Sequence, residues 1–406
     1  MLNLSPAAGC CRNSRAASAS NVLRRTNVLL WSTALLWAAS GCGETCEAAS
    51  GHLLYVLQPE TLSKAELTDA AFTWLVLEPT TTGQADGDYA PAEIEQIRSD
   101  GPCGKTALAY LSIGEAEDYR DYWNSDWVDG SGTPIPGVAP DWLGPTNPDF
   151  PGNYKVRYWD PEWQSLMFGT TSGPGITPLD RIIDQGFDGV YLDIIDAYEF
   201  WSGPDGGSEL SRMEARSLMI DFVEAIAVHA RDVRGVGGFL VFPQNAAEII
   251  RNDSDEFDTE TDRYFAAISG IGQEDLYYDE LQAQPGAETQ YVLDQLREFL
   301  DRGKTVLVTD YVIDTGDPSA GTNDDRVADF FAACRNESFI PYAATDDREL
   351  NSIVTFGGSG WSQDQPAPDA CSKSLPSMSP WGLIVLVLTL LSAGSMVQVS
   401  RSPANN

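Results

Sequence analysis

The chain has 406 residues, 43% hydrophobic and 10% aromatic, which suits one large globular domain with terminal extensions and a full core of its own. The formal net charge is −35, and residues 1–41 hold four arginines and no acid, so the remainder is more acidic still. Such a surface repels nucleic-acid phosphates and anionic lipid heads, which argues against a nucleic-acid partner, and it suits a cationic ligand or simply solubility in a salty medium.

Taken in chain order, the first element is an address. Arg24 and Arg25 precede an apolar run from Val28 to Ala39, followed by Ser40, Gly41 and Cys42. A basic start, an apolar stretch and small residues predict a secretory signal over residues 1–41. A cysteine directly after the small residues resembles the bacterial lipobox, which implies a lipidated Cys42. Residues 42–52 read as a linker.

From 53 to 347, short β-rich runs alternate with helical patterns. The predicted strands are Leu53–Leu57, Thr73–Leu77, Thr106–Ser112, Gly189–Asp193, Phe239–Phe242, Ala267–Gly272, Thr305–Thr309 and Phe339–Tyr342. Predicted helices include Pro91–Ser99, Arg212–Arg231, Thr289–Arg302 and Asp324–Arg335. Eight strands alternating with helices predict an α/β fold, a (β/α)₈ TIM barrel, with a doubly wound open sheet as the competing topology. Glycine patterns of nucleotide-binding loops do not open any of these helices.

The connection after the third strand is far longer than usual and holds Trp123, Trp127, Trp142, Tyr158, Trp159 and Trp163. Such an aromatic insertion suits a sugar-binding cleft, or its rings pack the insertion on itself. Residues 348–379 read as a linker. Residues 380–406 carry an apolar run, Trp381 to Val399, long enough to span a bilayer. The lead-in Leu375-Pro376-Ser377-Met378-Ser379-Pro380-Trp381-Gly382 resembles an IPTL-type sorting signal. Both ends therefore predict an extracytoplasmic barrel, anchored to a membrane or held at the cell surface.

Composition narrows the chemistry. With only His52 and His229, a multi-histidine zinc site is excluded and a Ser-His-Asp triad is hard to assemble. No C-x-x-C pair occurs among the seven cysteines, and Cys46, Cys103, Cys334 and Cys371 are free to form two disulfides outside the cytoplasm. The acidic run Asp253 to Glu260 lacks the spacing of a calcium loop. No metal and no cofactor are expected.

Active sites of these barrels sit at strand C-terminal ends. Those ends supply Glu78, Ser112, Glu115, Asp193, Asp196, Tyr198, Gln244, Asn245, Glu274, Asp310 and Tyr311. In Gly189 to Asp193, alternation turns Tyr191 and Asp193 toward the axis. In Gly270 to Glu274, two glycines share a face with Glu274 and are expected to leave room for a ligand. Glycoside cleavage needs two such carboxyl groups, about 5–5.5 Å apart for retention or about 6.5–9.5 Å for inversion. Asp193 and Glu274 are the predicted pair. Glu117, Tyr119 and Trp201 join the others as candidate contacts for sugar ammonium, hydroxyls or ring faces.

Four segments resemble glycoside hydrolase family 114: Tyr110 to Arg120, Gly186 to Asp193, Phe242 to Asn245, and Gly270 to Tyr278. The match runs in order over most of residues 53–345. The resemblance implies an endo-α-1,4-polygalactosaminidase-like barrel with a retaining mechanism, Asp193 as nucleophile and Glu274 as general acid/base. It also implies a galactosamine polymer as substrate, cationic where deacetylated. A barrel that binds amino sugars without cutting, or cuts another α-linked glycan, is the alternative. A lyase or isomerase lacks the histidines and the basic cluster it would need.

Overall fold

The computed structural model describes residues 51–59, 62–99, 104–169, 177–316 and 321–354. The signal, Cys42, most of the first linker, the sorting segment and every cysteine but Cys334 lie outside the described residues. Cys334 is a buried free thiol.

The chain opens with β1 (Leu53–Val56), α1 (Lys64–Asp69), β2 (Trp74–Leu77), α2 (Pro91–Ser99) and β3 (Thr106–Ser112). An excursion follows: β4 (Glu115–Glu117), β5 (Leu143–Thr146), β6 (Asn153–Val156), α3 (Pro161–Phe168) and α4 (Pro178–Gln185). Then come β7 (Gly189–Asp193), α5 (Ala197–Ser202), α6 (Arg212–Val228), β8 (Leu240–Pro243), α7 (Thr259–Ala267) and β9 (Gly270–Glu274). A small hairpin, β10 (Tyr278–Asp279) and β11 (Gln282–Ala283), precedes α8 (Gly286–Asp301), β12 (Thr305–Ile313), α9 (Gly321–Glu337) and β13 (Ile340–Thr345).

Eight parallel strands make the barrel. β1, β2, β3, β7 and β8 pair in that order, and β9, β12 and β13 form the other arc. The arcs join where Gln244 bridges Gly272, with Asn245 N donating to Gly272 O at 2.8 Å and Ser269 N to Val241 O at 2.8 Å. β13 packs beside β1, and beyond β1 Leu57 N donates to Leu350 O at 3.0 Å. The fold is a (β/α)₈ barrel.

Local sequence explains the elements. Ser63 with Glu66, and Ser211 with Glu214, form capping boxes that start α1 and α6. Thr177 caps α4 ahead of Pro178, and Gly186 ends it with φ 86°, a left-handed stop that glycine adopts freely. The barrel strands are wholly or largely buried, with helices outside, so they read as near-continuous apolar runs.

The predicted sixth strand begins too early. Ala267 is the last residue of α7, and the strand itself runs Gly270–Glu274. The apolar Ala267 and Ile268 blur that helix end in the sequence. The antiparallel β4, β5 and β6 were not predicted, because their three- or four-residue strands carry no sustained alternation.

The aromatic rings of the insertion pack mainly on one another. Trp123 stacks on Tyr154 at 4.6 Å, Trp127 meets Trp142 at 5.3 Å, and Trp142 meets Trp163 at 4.8 Å. Trp163 and Tyr158 are fully buried. These rings build the insertion's own core instead of lining a cleft.

Candidate active site

Register fixes which side chains reach the barrel axis. Tyr110 pairs with Tyr191 and Ser112 with Asp193 across β3 and β7. Gly272 pairs with Leu307 and Glu274 with Thr309 across β9 and β12. In-register neighbours on parallel strands share a face, so Asp193 and Glu274 both point inward at the C-terminal mouth. β8 separates their strands, about 10 Å between backbones at two strand spacings. Their inward side chains converge closely enough for the charge of Glu274 to act on Asp193.

Asp193 sits beneath a strained turn. Its Oδ1 accepts from Ile194 N at 2.8 Å and its Oδ2 from Tyr110 OH at 2.6 Å. Ile194 has φ 61°, a left-handed conformation that costs a β-branched residue about 1–3 kcal/mol. Gly114 makes the turn possible, because a Cβ there would stand 2.2 Å from Ile194 O. The same device recurs after the other mouth residues: Asn245 at φ 59°, Ala246 at 52° and Asp275 at 50°. Backbone strain of this kind gathers where function over-determines geometry.

Glu274 is held from three sides. Tyr311 OH and Gln244 Nε2 donate to its two oxygens, and Asn245 Nδ2 lies 3.4 Å from Oε2. Asn245 Oδ1 also accepts from Glu274 N at 2.8 Å. Gln244 is in turn oriented by Tyr55 OH at 3.1 Å. The Arg348 guanidinium lies 4.1 Å over the Tyr311 ring and pairs with Asp275 at 2.6 Å.

Burial raises both carboxyl groups above their ordinary range. Asp193 is pushed up to about 7 by desolvation, opposed by the Tyr110 hydrogen bond and reinforced by the charge of Glu274. Glu274 is raised chiefly by desolvation, opposed by the Tyr311 hydrogen bond and reinforced by Asp275. Both side chains keep partial access to solvent. Two inward carboxyls, each shifted upward by burial, are groups of the kind that acid–base chemistry uses.

The two glycines of β9 do not make room for a ligand. A Cβ on Gly272 would stand 1.8 Å from Tyr191 OH, and one on Gly270 would stand 2.1 Å from the Phe242 ring. Tyr191 and Phe242 already fill that space. Gly272→Ala is therefore expected to cost about 1–3 kcal/mol by overpacking, read as a lower denaturation midpoint.

Several predicted contacts are corrected by burial. Tyr191 is 1% exposed and packs edge-on to Tyr55 below the pair. Tyr198 is fully buried and donates to Glu199 at 3.1 Å. Trp201 Nε1 donates to Val156 O at 2.8 Å, with the ring packed on Trp159. Neither ring has a face free for sugar. Ser112 donates to Glu115 O at 3.1 Å, and Glu115 accepts from Asn147, Asn153 and Lys155, tying the insertion together.

Asp310 faces away from the axis, since Thr309 and Tyr311 face in. Its oxygens accept from Leu276, Tyr277 and Tyr278 N at 2.8, 2.8 and 3.0 Å, which fixes the loop after Glu274.

Glu78 and Glu117 share Arg120, and Tyr119 OH donates to Glu117 while its ring stays 44% exposed. Asp196 stands exposed at the start of α5. Gln244, Asn245 and Tyr311 do reach the site, as partners of Glu274. Sequence reading passed over Tyr55 and Tyr110. Alternation along β3 puts Tyr110 on the face of Ser112, which is the signal that finds it.

A (β/α)₈ barrel with two carboxyls converging at its C-terminal mouth is the arrangement that glycoside cleavage uses. The chain belongs to glycoside-hydrolase family GH114, whose model matches residues 57–363. It is 33% identical over 305 residues to an uncharacterized protein of Methanocaldococcus jannaschii, covering 75% of this chain and 78% of that one. It is likewise 33% identical over 304 residues to an uncharacterized protein of Thermotoga maritima, covering 75% of this chain and 84% of that one. The glycoside hydrolase domain of PelA from Pseudomonas aeruginosa shares the fold, with a TM-score of 0.51 at 17% identity over 74% of this chain and 96% of that domain.

Proposed function

We propose that this glycoside hydrolase cleaves α-1,4-linked galactosamine polymer within the chain and with retention, outside the cytoplasm. The observation that carries the reading is the convergence of Asp193 and Glu274, inward on β7 and β9, each with its pKa raised by burial. The resemblance of the family motifs supports that substrate, and the net charge of −35 suits a polymer that is cationic where deacetylated. Lipidated Cys42 or the apolar segment of residues 380–406 would hold the barrel at a membrane.

In the first step, an Asp193 oxygen attacks the anomeric carbon as its bond to the glycosidic oxygen breaks. Glu274 gives that oxygen its proton. In the second step, Glu274 takes a proton from water, and the water oxygen displaces Asp193 from the anomeric carbon. Tyr311, Gln244 and Asn245 keep Glu274 aimed through both steps.

The Tyr110 hydrogen bond favours ionised Asp193, so its removal raises that pKa further. In Tyr110→Phe, the acid limb of the kcat/KM profile is therefore expected to move to higher pH. An unmoved limb assigns that limb to another group. The substrate is tested by incubating wild type with partly deacetylated α-1,4-galactosamine polymer and with a neutral α-1,4-linked glucan. New reducing ends from the first alone support the reading, and cleavage of the second alone overturns it.

A further inference from the structure

Beyond β13 the chain turns back at the mouth, and residues 346–350 are tied down along that turn. Asp346 accepts from Thr315 N at 2.9 Å and from Thr315 Oγ1 at 2.7 Å. Arg348 N donates to Thr345 O at 3.2 Å, and Leu350 O accepts from Leu57 N and Gln58 N at 3.0 and 3.3 Å. Arg348 stands in this turn at φ 57° and Leu350 at φ 47°, left-handed conformations that neither residue favours. Strain of this kind persists where the surroundings over-determine it.

The strained turn delivers a cation to the surroundings of Glu274. The Arg348 guanidinium lies 4.1 Å from the centre of the Tyr311 ring, and its Nη2 donates to Asp275 Oδ1 at 2.6 Å, with Asp279 at 3.6 Å. The Tyr311 hydroxyl donates to Glu274, and Asp275 follows Glu274 in the chain, itself left-handed at φ 50°. One side chain thus touches two of the groups that set where the Glu274 carboxyl points. An exposed ion pair contributes little by itself. Here the arginine side chain is 40% exposed, yet it covers a tyrosine that is only 4% exposed. A planar guanidinium laid on an aromatic face, with a carboxylate at its edge, leaves that ring little freedom to turn.

Among the described residues, the titratable and charged groups that act on Glu274 are Tyr55 of β1, Tyr191 and Asp193 of β7, Tyr311 of β12, Asp275 and Arg348. β8 and the turn after it bring the uncharged Gln244 and Asn245. Arg348 is the cation of that set. Burial raises the Glu274 pKa and Asp275 adds to the rise, while the charge of Arg348 opposes it.

We propose that Arg348 is a positioning residue for the acid/base: by bracing Tyr311 and Asp275 it keeps the Glu274 carboxyl aimed at the glycosidic oxygen and holds a cation beside it. The assignment rests on the two-carboxyl hydrolase reading and names the residue, from the far side of the barrel closure, that governs when Glu274 gives up its proton.

Arg348→Met and Arg348→Gln in the full chain test this on two substrates. Galactosamine polymer has a leaving group that needs a proton; an aryl α-glycoside of a short galactosamine oligomer, with a strongly acidic phenol, does not. A misaimed Glu274 penalises the first far more than the second. Each variant is expected to lower kcat/KM on polymer divided by kcat/KM on aryl glycoside about tenfold, part of what a general acid supplies. The basic limb of the polymer kcat/KM profile falls as Glu274 loses its proton. In both variants it is expected to move to higher pH, because the cation that favours the carboxylate is gone. An unchanged ratio, as a lost substrate contact or a slackened mouth would give, or an unmoved limb overturns the proposal. If wild type cuts neither substrate, the hydrolase reading fails separately. Carbon-13 NMR of protein labelled at the glutamate carboxyls then decides the role of Arg348 alone. The resonance missing from Glu274→Gln is expected to titrate at higher pH in Arg348→Met than in wild type, and the same midpoint in both overturns it.

Discussion

Asp193→Asn and Glu274→Gln are each expected to lower kcat on galactosamine polymer by roughly 10³-fold or more, with the protein still folded. Loss of a nucleophile or of a proton donor for a poor leaving group has effects of this order. The Asp193 variant carries its own control for folding. The folded pKa of Asp193 is raised to about 7 from an ordinary value of 3.8. The folded state therefore binds the extra proton between those values, and stability falls as pH rises through that window. Asparagine has no charge to bury. Asp193→Asn is expected to be more stable than wild type at pH 8, by about 1–2 kcal/mol, and to lose that advantage below about pH 4. An inactive variant with raised stability cannot owe its inactivity to unfolding.

Arg120→Met is expected to be the most destabilising change at the mouth, costing about 3–5 kcal/mol at pH 8. Arg120 binds Glu78 through two nitrogens, at 2.6 and 3.1 Å, and Glu117 through a third at 2.6 Å. Both carboxylates are buried, at 6% and 4% exposure, so the variant strands two charges. Burial already pushes Glu78 up to about 7 against the pull of Arg120. Without the arginine it takes up a proton more readily still. The deficit is therefore expected to shrink between pH 8 and pH 5, measured by urea unfolding at both. A deficit that does not change with pH would show that lost packing of the side chain, not stranded charge, sets the cost.

Much of this was legible in the sequence because a barrel writes its strands as apolar runs ending in polar residues. Asp193 and Glu274 both close such runs, and their strands put them where alternation says they belong. Alternation also decides between neighbours, and there strand ends taken as a whole mislead. Asp310 and Tyr311 are adjacent, so only one can face the axis; Tyr311 does, and Asp310 secures the following loop. The β9 glycines looked like ligand space because the sequence does not say what lies opposite. Tyr191 and Phe242 come from β7 and β8, and only the closed barrel sets them against Gly272 and Gly270.

The insertion resisted reading for another reason. Its tryptophans are individually suited to sugars, and whether they meet sugar or one another is a question of tertiary packing. Glu115 shows the same limit: an acid beside a predicted mouth residue proves to be the buried knot of β4 and β6, with Lys155 and Asn153.

In the proposed mechanism Asp193 becomes bonded to the sugar. The most direct test of this uses Glu274→Gln with an aryl α-glycoside of a short galactosamine oligomer, whose leaving group needs no proton. Mixing is expected to release a burst of one phenol per protein, and mass spectrometry of the quenched, digested protein to find the sugar on the peptide holding Asp193. No burst and no adduct, with wild-type cleavage giving the inverted anomer first, would contradict the account.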